Sequence, residues 1–193
     1  LLSNGLEKSE MKKVAENINS NADKIESYVC EIIKNSKDDF LNFDVNNSEF
    51  YLSECINRIE SYYKDKLSIN KTEFIISDYT DCIMYGDVER SIEVIQNIIE
   101  NAIKYGDGSF IKIDICTEEN CRLIKISNSG STLSEGEMPH IFESFWRGSN
   151  SDNVNGSGLG LYICRQLMIL MNGEVYAEQK ENIFSVTLVF RMA

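Results

Sequence analysis

GSGLGLYICRQLMILMNG, residues 156–173, places three glycines in five positions and then continues as an apolar helix. Glycine at a helix start costs backbone entropy, so the missing Cβ has to serve something. One use is a close approach of backbone N–H groups to an anion at the helix N-terminus. The other is a mobile loop that happens to precede a helix, and glycine spacing alone does not choose between them. Downstream, EVYAEQ (174–179) and IFSVTLVF (183–190) alternate as the two strands of a closing hairpin. Upstream lies a long polar stretch, 130–157, broken by the apolar island PHIFESFW. Irregular segments of that length inside a compact domain are usually functional lids or disordered.

Before it, SFIKIDICT (109–117) and CRLIKISNS (121–129) read as alternating strands joined by Glu118, Glu119 and Asn120. Residues 88–105 read as a helix capped by Asp87 and ended by the glycines of YGDG (105–108). TEFIIS (72–77) and DCIMYG (81–86) predict a further hairpin. Ser48 reads as the cap of a helix with Leu52, Cys55, Ile56, Ile59 and Tyr63 on one side, after a turn-rich linker (35–48) with a short strand near Phe43–Val45. Strands joined mostly by hairpins, with helices between, give an α+β two-layer sandwich, its helices segregated on one face. Residues 7–37 read as one long helix preceding it. Val14, Ile18, Asn21, Ile25, Tyr28 and Ile32 alternate at spacings of four and three, a heptad seam suited to packing against other helices. A plain amphipathic helix carries the same pattern over so short a repeat.

The chain has 193 residues with 31 acidic and 19 basic side chains, a net charge of -12. No basic stripe stands out, which argues against a nucleic-acid partner. Six cysteines are scattered without a CxxC, and there is one histidine, so neither a disulfide framework nor a zinc site is expected. A reducing, cytoplasmic setting fits. The chain opens without a methionine and reads as a piece of something longer.

The candidate chemistry lies in four places. On the helix 88–105, Asn97, Asn101 and Lys104 fall within an arc of about 60° at 100° per residue. Val88, Ile92, Ile95, Ile98, Ile99, Ala102 and Ile103 fill the other side. Carboxamide oxygens ligate Mg²⁺ and a lysine attracts phosphate, although a solvated face has the same composition. At the end of a strand, Asn128 offers hydrogen bonds to a base edge, and Gly130 lets a planar ring approach; Asn-Ser-Gly is also ordinary turn chemistry. In the polar stretch, Phe142, Phe145 and Trp146 are anchors for a lid, and Arg147 is placed to reach a terminal phosphate. The fourth place is the glycine run itself, Gly156, Gly158 and Gly160.

In this order, the four segments resemble the catalytic and ATP-binding region of two-component sensor histidine kinases. These belong to a superfamily shared with type II topoisomerases, Hsp90 and MutL. NIIENAIKY resembles the N box, SNSG the first glycine box, IFESFWRG the F box and GSGLGLYICRQL the second glycine box. The resemblance is dense over 75–191. It implies a Bergerat fold with a mixed, mostly antiparallel sheet. It implies a remnant of a dimerisation hairpin over 1–38 and a catalytic domain over 39–193, with an ATP lid at about 130–157. It implies that Asn101 holds Mg²⁺, that Asn97 lies near the phosphates, and that Lys104 and Tyr105 contact phosphate and the ribose or adenine side. Asn128 stands where the family has Asp and accepts from the adenine amino group, beside Gly130. Phe142, Arg147, Gly156, Gly158, Leu159, Gly160 and Leu161 then complete the nucleotide site, the N–H groups of 158–161 taking the phosphates.

Asn97 stands where the hydrolysing branches carry a general-base Glu, which favours phosphoryl transfer over hydrolysis; Glu100 points about 100° away and is read as structural. Asn97, Lys104 and Arg147 are the implied catalytic set. His140 lies in the F box and is read as a lid residue, so the acceptor histidine belongs upstream of Leu1. The implied partners are ATP, an acceptor-histidine helix and a response-regulator receiver domain. The full-length protein would be a membrane-anchored homodimer, and this piece a monomer. The alternatives are a nucleotide-sensing pseudokinase and an anti-sigma-type serine kinase.

Overall fold

A computed structural model describes residues 11–15, 18, 20, 21, 44–131, 133–151 and 156–192. The chain divides into two units, Leu1–Asn42 and Phe43–Ala193. In the first, residues 11–15, 18, 20 and 21 are helical and exposed, which puts Val14, Ile18 and Asn21 of the expected seam on a helix. Ile25, Tyr28 and Ile32 lie outside the described residues.

The second unit runs β1 (Ser48–Tyr51), α1 (Leu52–Ile69), β2 (Glu73–Ile76), β3 (Ile83–Gly86), α2 (Val88–Tyr105), β4 (Phe110–Glu118), β5 (Cys121–Ser129), α3 (Gly160–Leu170), β6 (Glu174–Lys180) and β7 (Ile183–Arg191). Five strands form one sheet in the order β2-β4-β5-β7-β6, and β1 and β3 form a second of two strands. Among the described residues only the β2–β4 pairing is parallel. The alternation of the strands sets which face is covered. Ile111, Ile113 and Ile115 of β4, Ile124 and Ile126 of β5, and Val186, Leu188 and Phe190 of β7 share one core with the helices. The opposite face carries polar pairs, Lys112 with Asp114 and Lys125 with Glu178.

α2 starts where expected. Asp87 Oδ1 accepts from Arg90 N at 3.1 Å. Its buried stripe includes Ser91 and Val94 beyond the expected set, because α2 packs against α1, α3 and β5 rather than against the sheet alone.

Three expectations fail. Ser48 does not cap α1 but opens β1, and Tyr51 precedes the helix without a side-chain bond to it. The first N–H groups of α1 are satisfied from the far side of β2: Asp81 accepts from Ser53 N at 2.9 Å and Ser53 Oγ at 2.7 Å, and Cys82 O accepts from Leu52 N at 3.0 Å. Nor do 72–77 and 81–86 form a hairpin: β2 pairs with β4, and β3 with β1. Alternation fixes which face of a strand is buried but not which strand it pairs with. The connection is pinned from β5 instead, by the buried guanidinium of Arg122, which donates to Thr80 O at 3.0 Å and to Cys82 Sγ at 3.3 Å. The short strand expected at Phe43–Val45 is also missing at Val45, which is irregular; Phe43 is outside the described residues.

Candidate functional site

α2 and α3 pack together and bring the polar face of one to the glycine-led start of the other. Asn97 is half-buried beside Cys164 on α3, whose thiol donates to Val94 O at 3.6 Å. Burial pushes that thiol up to about 12, so Cys164 is an inert neutral group beneath Asn97. One turn on, the Asn101 carboxamide faces Gly160. A Cβ at Gly160 would lie 3.6 Å from Asn101 Nδ2 and 3.8 Å from its Oδ1. Lys104 is exposed on the last turn of α2, and Tyr105 Oη lies 3.4 Å from where a Cβ of Gly156 would sit.

Glu100 turns the other way, as the helical angle requires. Its Oε1 accepts from Tyr63 Oη at 2.9 Å and Lys66 Nζ at 2.8 Å. Burial opposes its ionisation, but these two bonds outweigh it and hold the carboxyl below its ordinary range. A carboxylate so committed to α1 is not a base for the opposite face.

The C-terminal end of α2 is stitched to the end of β5. Asp107 N donates to Ser129 O at 3.2 Å. The Asp107 carboxylate accepts from Ser129 Oγ at 2.5 Å and Ser109 N at 2.9 Å. Two glycines make this approach possible. A Cβ at Gly130, whose φ is +85°, would lie 2.3 Å from Asp107 N; one at Gly106 would lie 2.9 Å from Ser129 O. Asn128 is buried within this knot, and its Nδ2 donates to Ser129 O at 3.0 Å.

The polar stretch contains two short 3₁₀ turns, Met138–His140 and Ser149–Ser151. Glu137 ties them together, accepting from Ser134 N at 2.8 Å and Ser149 N at 2.7 Å. Arg147 donates to Ser151 O at 2.6 Å, within the same stretch. Its base is pinched shut: Gly158, at φ +72°, leaves a would-be Cβ 2.6 Å from Trp146 O and 2.7 Å from Phe145 C. Phe142 and Leu161 pack on the core, and Leu159 is buried. The Phe142 ring stacks 6.0 Å from Arg165 Cζ of α3.

The glycines therefore divide into two kinds. Gly106, Gly130 and Gly158 are demanded by protein atoms. Gly160 is not: a Cβ there meets only ordinary contacts, at the start of a helix with no side-chain cap. Its first N–H groups have no intrahelical acceptor. The Asn101 carboxamide and the helix start at Gly160 face one another, a hard-oxygen group beside N–H donors. The sequence reading brought together Asn97, Asn101, Tyr105, Gly156 and Gly160, and it missed Cys164, Gly106, Asp107 and Ser129. The last three carry no motif; only the sheet register places them together.

Residues 86–192, more than half of the chain, match the family described as histidine kinase-, DNA gyrase B- and HSP90-like ATPase. The chain is 30% identical to hybrid signal transduction histidine kinase F of Dictyostelium discoideum over 98% of its own length and 18% of the relative's. It is 29% identical to the adaptive-response sensory kinase SasA of Microcystis aeruginosa, over 78% of its length and 40% of that protein. It thus spans less than half of either relative. The crystallised catalytic domain of histidine kinase ThkA superimposes with a TM-score of 0.67 at 25% identity, over 76% of this chain and 96% of that one. ThkA solved with response regulator TrrA gives 0.72 at 25% identity, over 95% of this chain and 52% of that one. With its mixed sheet, its helical layer and the N-box helix facing a glycine-led helix start, the chain belongs to the histidine kinase-, DNA gyrase B- and HSP90-like ATPase family.

Proposed function

We propose that the chain is the ATP-binding catalytic part of a sensor histidine kinase, which passes the γ-phosphate of ATP to a histidine of a dimerisation helix. The observation that carries this is Gly160: no protein atom requires it, and it sets an uncapped helix start directly against the Asn101 carboxamide. Phosphates held there meet the N–H groups of 158–161, with Lys104 and Arg147 as cations and Asn97 and Tyr105 beside them. The oxygen chemistry of Asn101 suits Mg²⁺, which when bound supplies charge neutralisation on the phosphates. Asn128 and Gly130 frame the purine, and Phe142, Leu159 and Leu161 anchor the lid at about 130–157.

Asn97 has no basicity with which to activate water, and Glu100 is held by Tyr63 and Lys66. This supports transfer to a protein group over hydrolysis. His140 is exposed in the lid, its Nδ1 2.8 Å from Glu143 Oε1, and serves as a lid residue rather than the acceptor.

The division of the chain after Asn42 supports residues 39–193 as the catalytic domain and 1–38 as the second helix of a dimerisation hairpin. The partners in this reading are a second copy through that hairpin and the receiver domain of a response regulator, as the ThkA–TrrA complex suggests. Among the described residues no helix is long and apolar enough to cross a membrane. The reading places this part on the cytoplasmic side of an anchored sensor.

The test is the melting temperature with ATP, with and without Mg²⁺, on the chain and on Asn101→Ala. Ligand at a hundredfold over its Kd stabilises by about 2.7 kcal/mol. A Mg²⁺-dependent rise that Asn101→Ala diminishes supports the site; no rise at millimolar ATP overturns it. Transfer of label from γ-labelled ATP to an added acceptor-helix domain, as an acid-labile phosphoprotein, then tests the reaction.

A further inference from the structure

β6 ends the sheet order β2-β4-β5-β7-β6, and among the described residues nothing pairs with its outer edge. None of its seven residues is buried, whereas five of the nine in β7 are. The two-residue loop Glu181–Asn182 makes Lys180 and Ile183 a hydrogen-bonded pair, and the ladder alternates from there. Glu174, Tyr176, Glu178 and Lys180 therefore turn their backbone groups to β7. Val175, Ala177 and Gln179 turn theirs outward, and among the described residues no hydrogen bond reaches those groups. Only the Gln179 side chain is engaged, accepting from Ser131 Oγ at 2.7 Å and donating to Leu133 O at 2.8 Å.

Exposed edges are usually blunted by proline, a bulge or a charge in the middle of the strand. β6 has no proline and pairs residue for residue with β7. Its one central charge, Glu178, is taken by Lys125 Nζ at 2.5 Å and Lys180 Nζ at 2.9 Å. The other charges stand at the two ends with opposite sign, Glu174 and Lys180, both exposed. Laid antiparallel on a copy of itself about Ala177, the strand sets Glu174 opposite Lys180, Val175 opposite Gln179 and Tyr176 opposite Glu178. Moving the axis by one residue sets Glu174 against Glu178 in one direction and Glu178 against itself in the other, so the charges select a single register.

We propose that β6 pairs antiparallel with β6 of a second copy across a two-fold axis at Ala177, joining two five-stranded sheets into one. The outward N–H and C=O groups of Val175, Ala177 and Gln179 bond across the axis, and each Glu174 meets Lys180 of the second copy. Tyr176, 47% exposed, lies against Glu178 of the second copy. This contact is separate from the hairpin contact of the proposed function and stands whether or not that reading holds.

The experiment is analytical ultracentrifugation of the chain over a concentration series, read as the change in association constant between variants, because the proposed hairpin helix adds an association of its own. Ala177→Pro removes an outward N–H that makes no bond within the fold, so the sheet survives while association weakens at least about 10-fold. Glu174→Lys and Lys180→Glu, each alone, set like charges opposite one another and weaken association about 3- to 10-fold; combined, they bring it back to within about threefold of the unaltered chain. A folding defect cannot imitate that restoration, so the charge pair decides the matter even if Ala177→Pro fails to fold. Unchanged association in Ala177→Pro, or a double variant no stronger than the single ones, overturns the pairing. So does a chain that stays monomeric throughout the series.

Discussion

The proposed purine end and the proposed lid end of the candidate site are built from the same materials, glycines and short polar side chains, but they are held in different ways. At the proposed purine end, beside short-range bonds such as Ser109 N to Asp107, the chief ties cross the fold. Asp107, at the end of α2, bonds Ser129 at the end of β5, and Gly130 N donates to Asn182 O, next to β7, at 2.9 Å. At the proposed lid end most ties stay within the stretch, Glu137 to Ser134 and Ser149, Arg147 to Ser151, Ser151 Oγ to Gly148 O, while its start reaches β6 through Ser131 Oγ and Leu133 O to Gln179. Breaking a tie of the first kind loosens the sheet and α2 together. Breaking one of the second kind opens a loop whose anchors remain. In the proposed reading, a domain that holds a base in place and still admits and releases a polyphosphate needs that division.

Gly130→Ala is the strongest way to break the comparison. The new Cβ would lie 2.3 Å from a backbone nitrogen, at a φ of +85°. Neither the strand end nor the helix end can yield alone, so a loss of about 3–5 kcal/mol is expected in urea unfolding, at the upper end for single substitutions. Ser129→Ala removes the hydroxyl that donates to Asp107 and accepts from Phe110 N at 3.3 Å; about 1–2 kcal/mol is expected from the same measurement. Gly158→Ala looks equally severe on paper, with φ +72° and a clash of 2.6 Å with Trp146 O. Here the lid gives way instead. Global stability should fall by less than about 1 kcal/mol while ATP affinity drops severalfold, because the strain is relieved by local opening. Equal losses for Gly130→Ala and Gly158→Ala would mean that the two ends are one cooperative unit.

The same contrast explains what could be read from the sequence. The polar face of α2, its Asp87 cap and the hairpins β4–β5 and β6–β7 follow from local periodicity and turn residues, and all are present. The partner of β2, the tertiary cap of α1 by Asp81 and the Asp107–Ser129 stitch depend on chain segments 19 or more residues apart, and no local pattern encodes them. In the site, the glycine run was legible as a place where Cβ is unwelcome. That protein atoms demand Gly158 and do not demand Gly160 was not, because that distinction lies in neighbouring atoms rather than in spacing.

The smallest expected effect is also the most specific to the lid. Backbone N–H donors from Ser149 and Ser134 hold the Glu137 carboxyl down to about 2, against an ordinary value of 4.5. A carboxyl with a depressed folded value stabilises the closed lid fully above the ordinary value, and the contribution fades as pH falls from 4.5 toward about 2. Trp146 is the chain's one tryptophan and forms the base of the lid, so its emission reports the lid alone. On acidification Trp146 emission should change before far-UV circular dichroism does, and Glu137→Gln should abolish that early step while leaving the later one in place. Coincident transitions in the unaltered chain would show that the lid's local ties are not independent of the body. The division between a fixed purine end and a separately held lid would then have to be given up, whatever the glycine variants show.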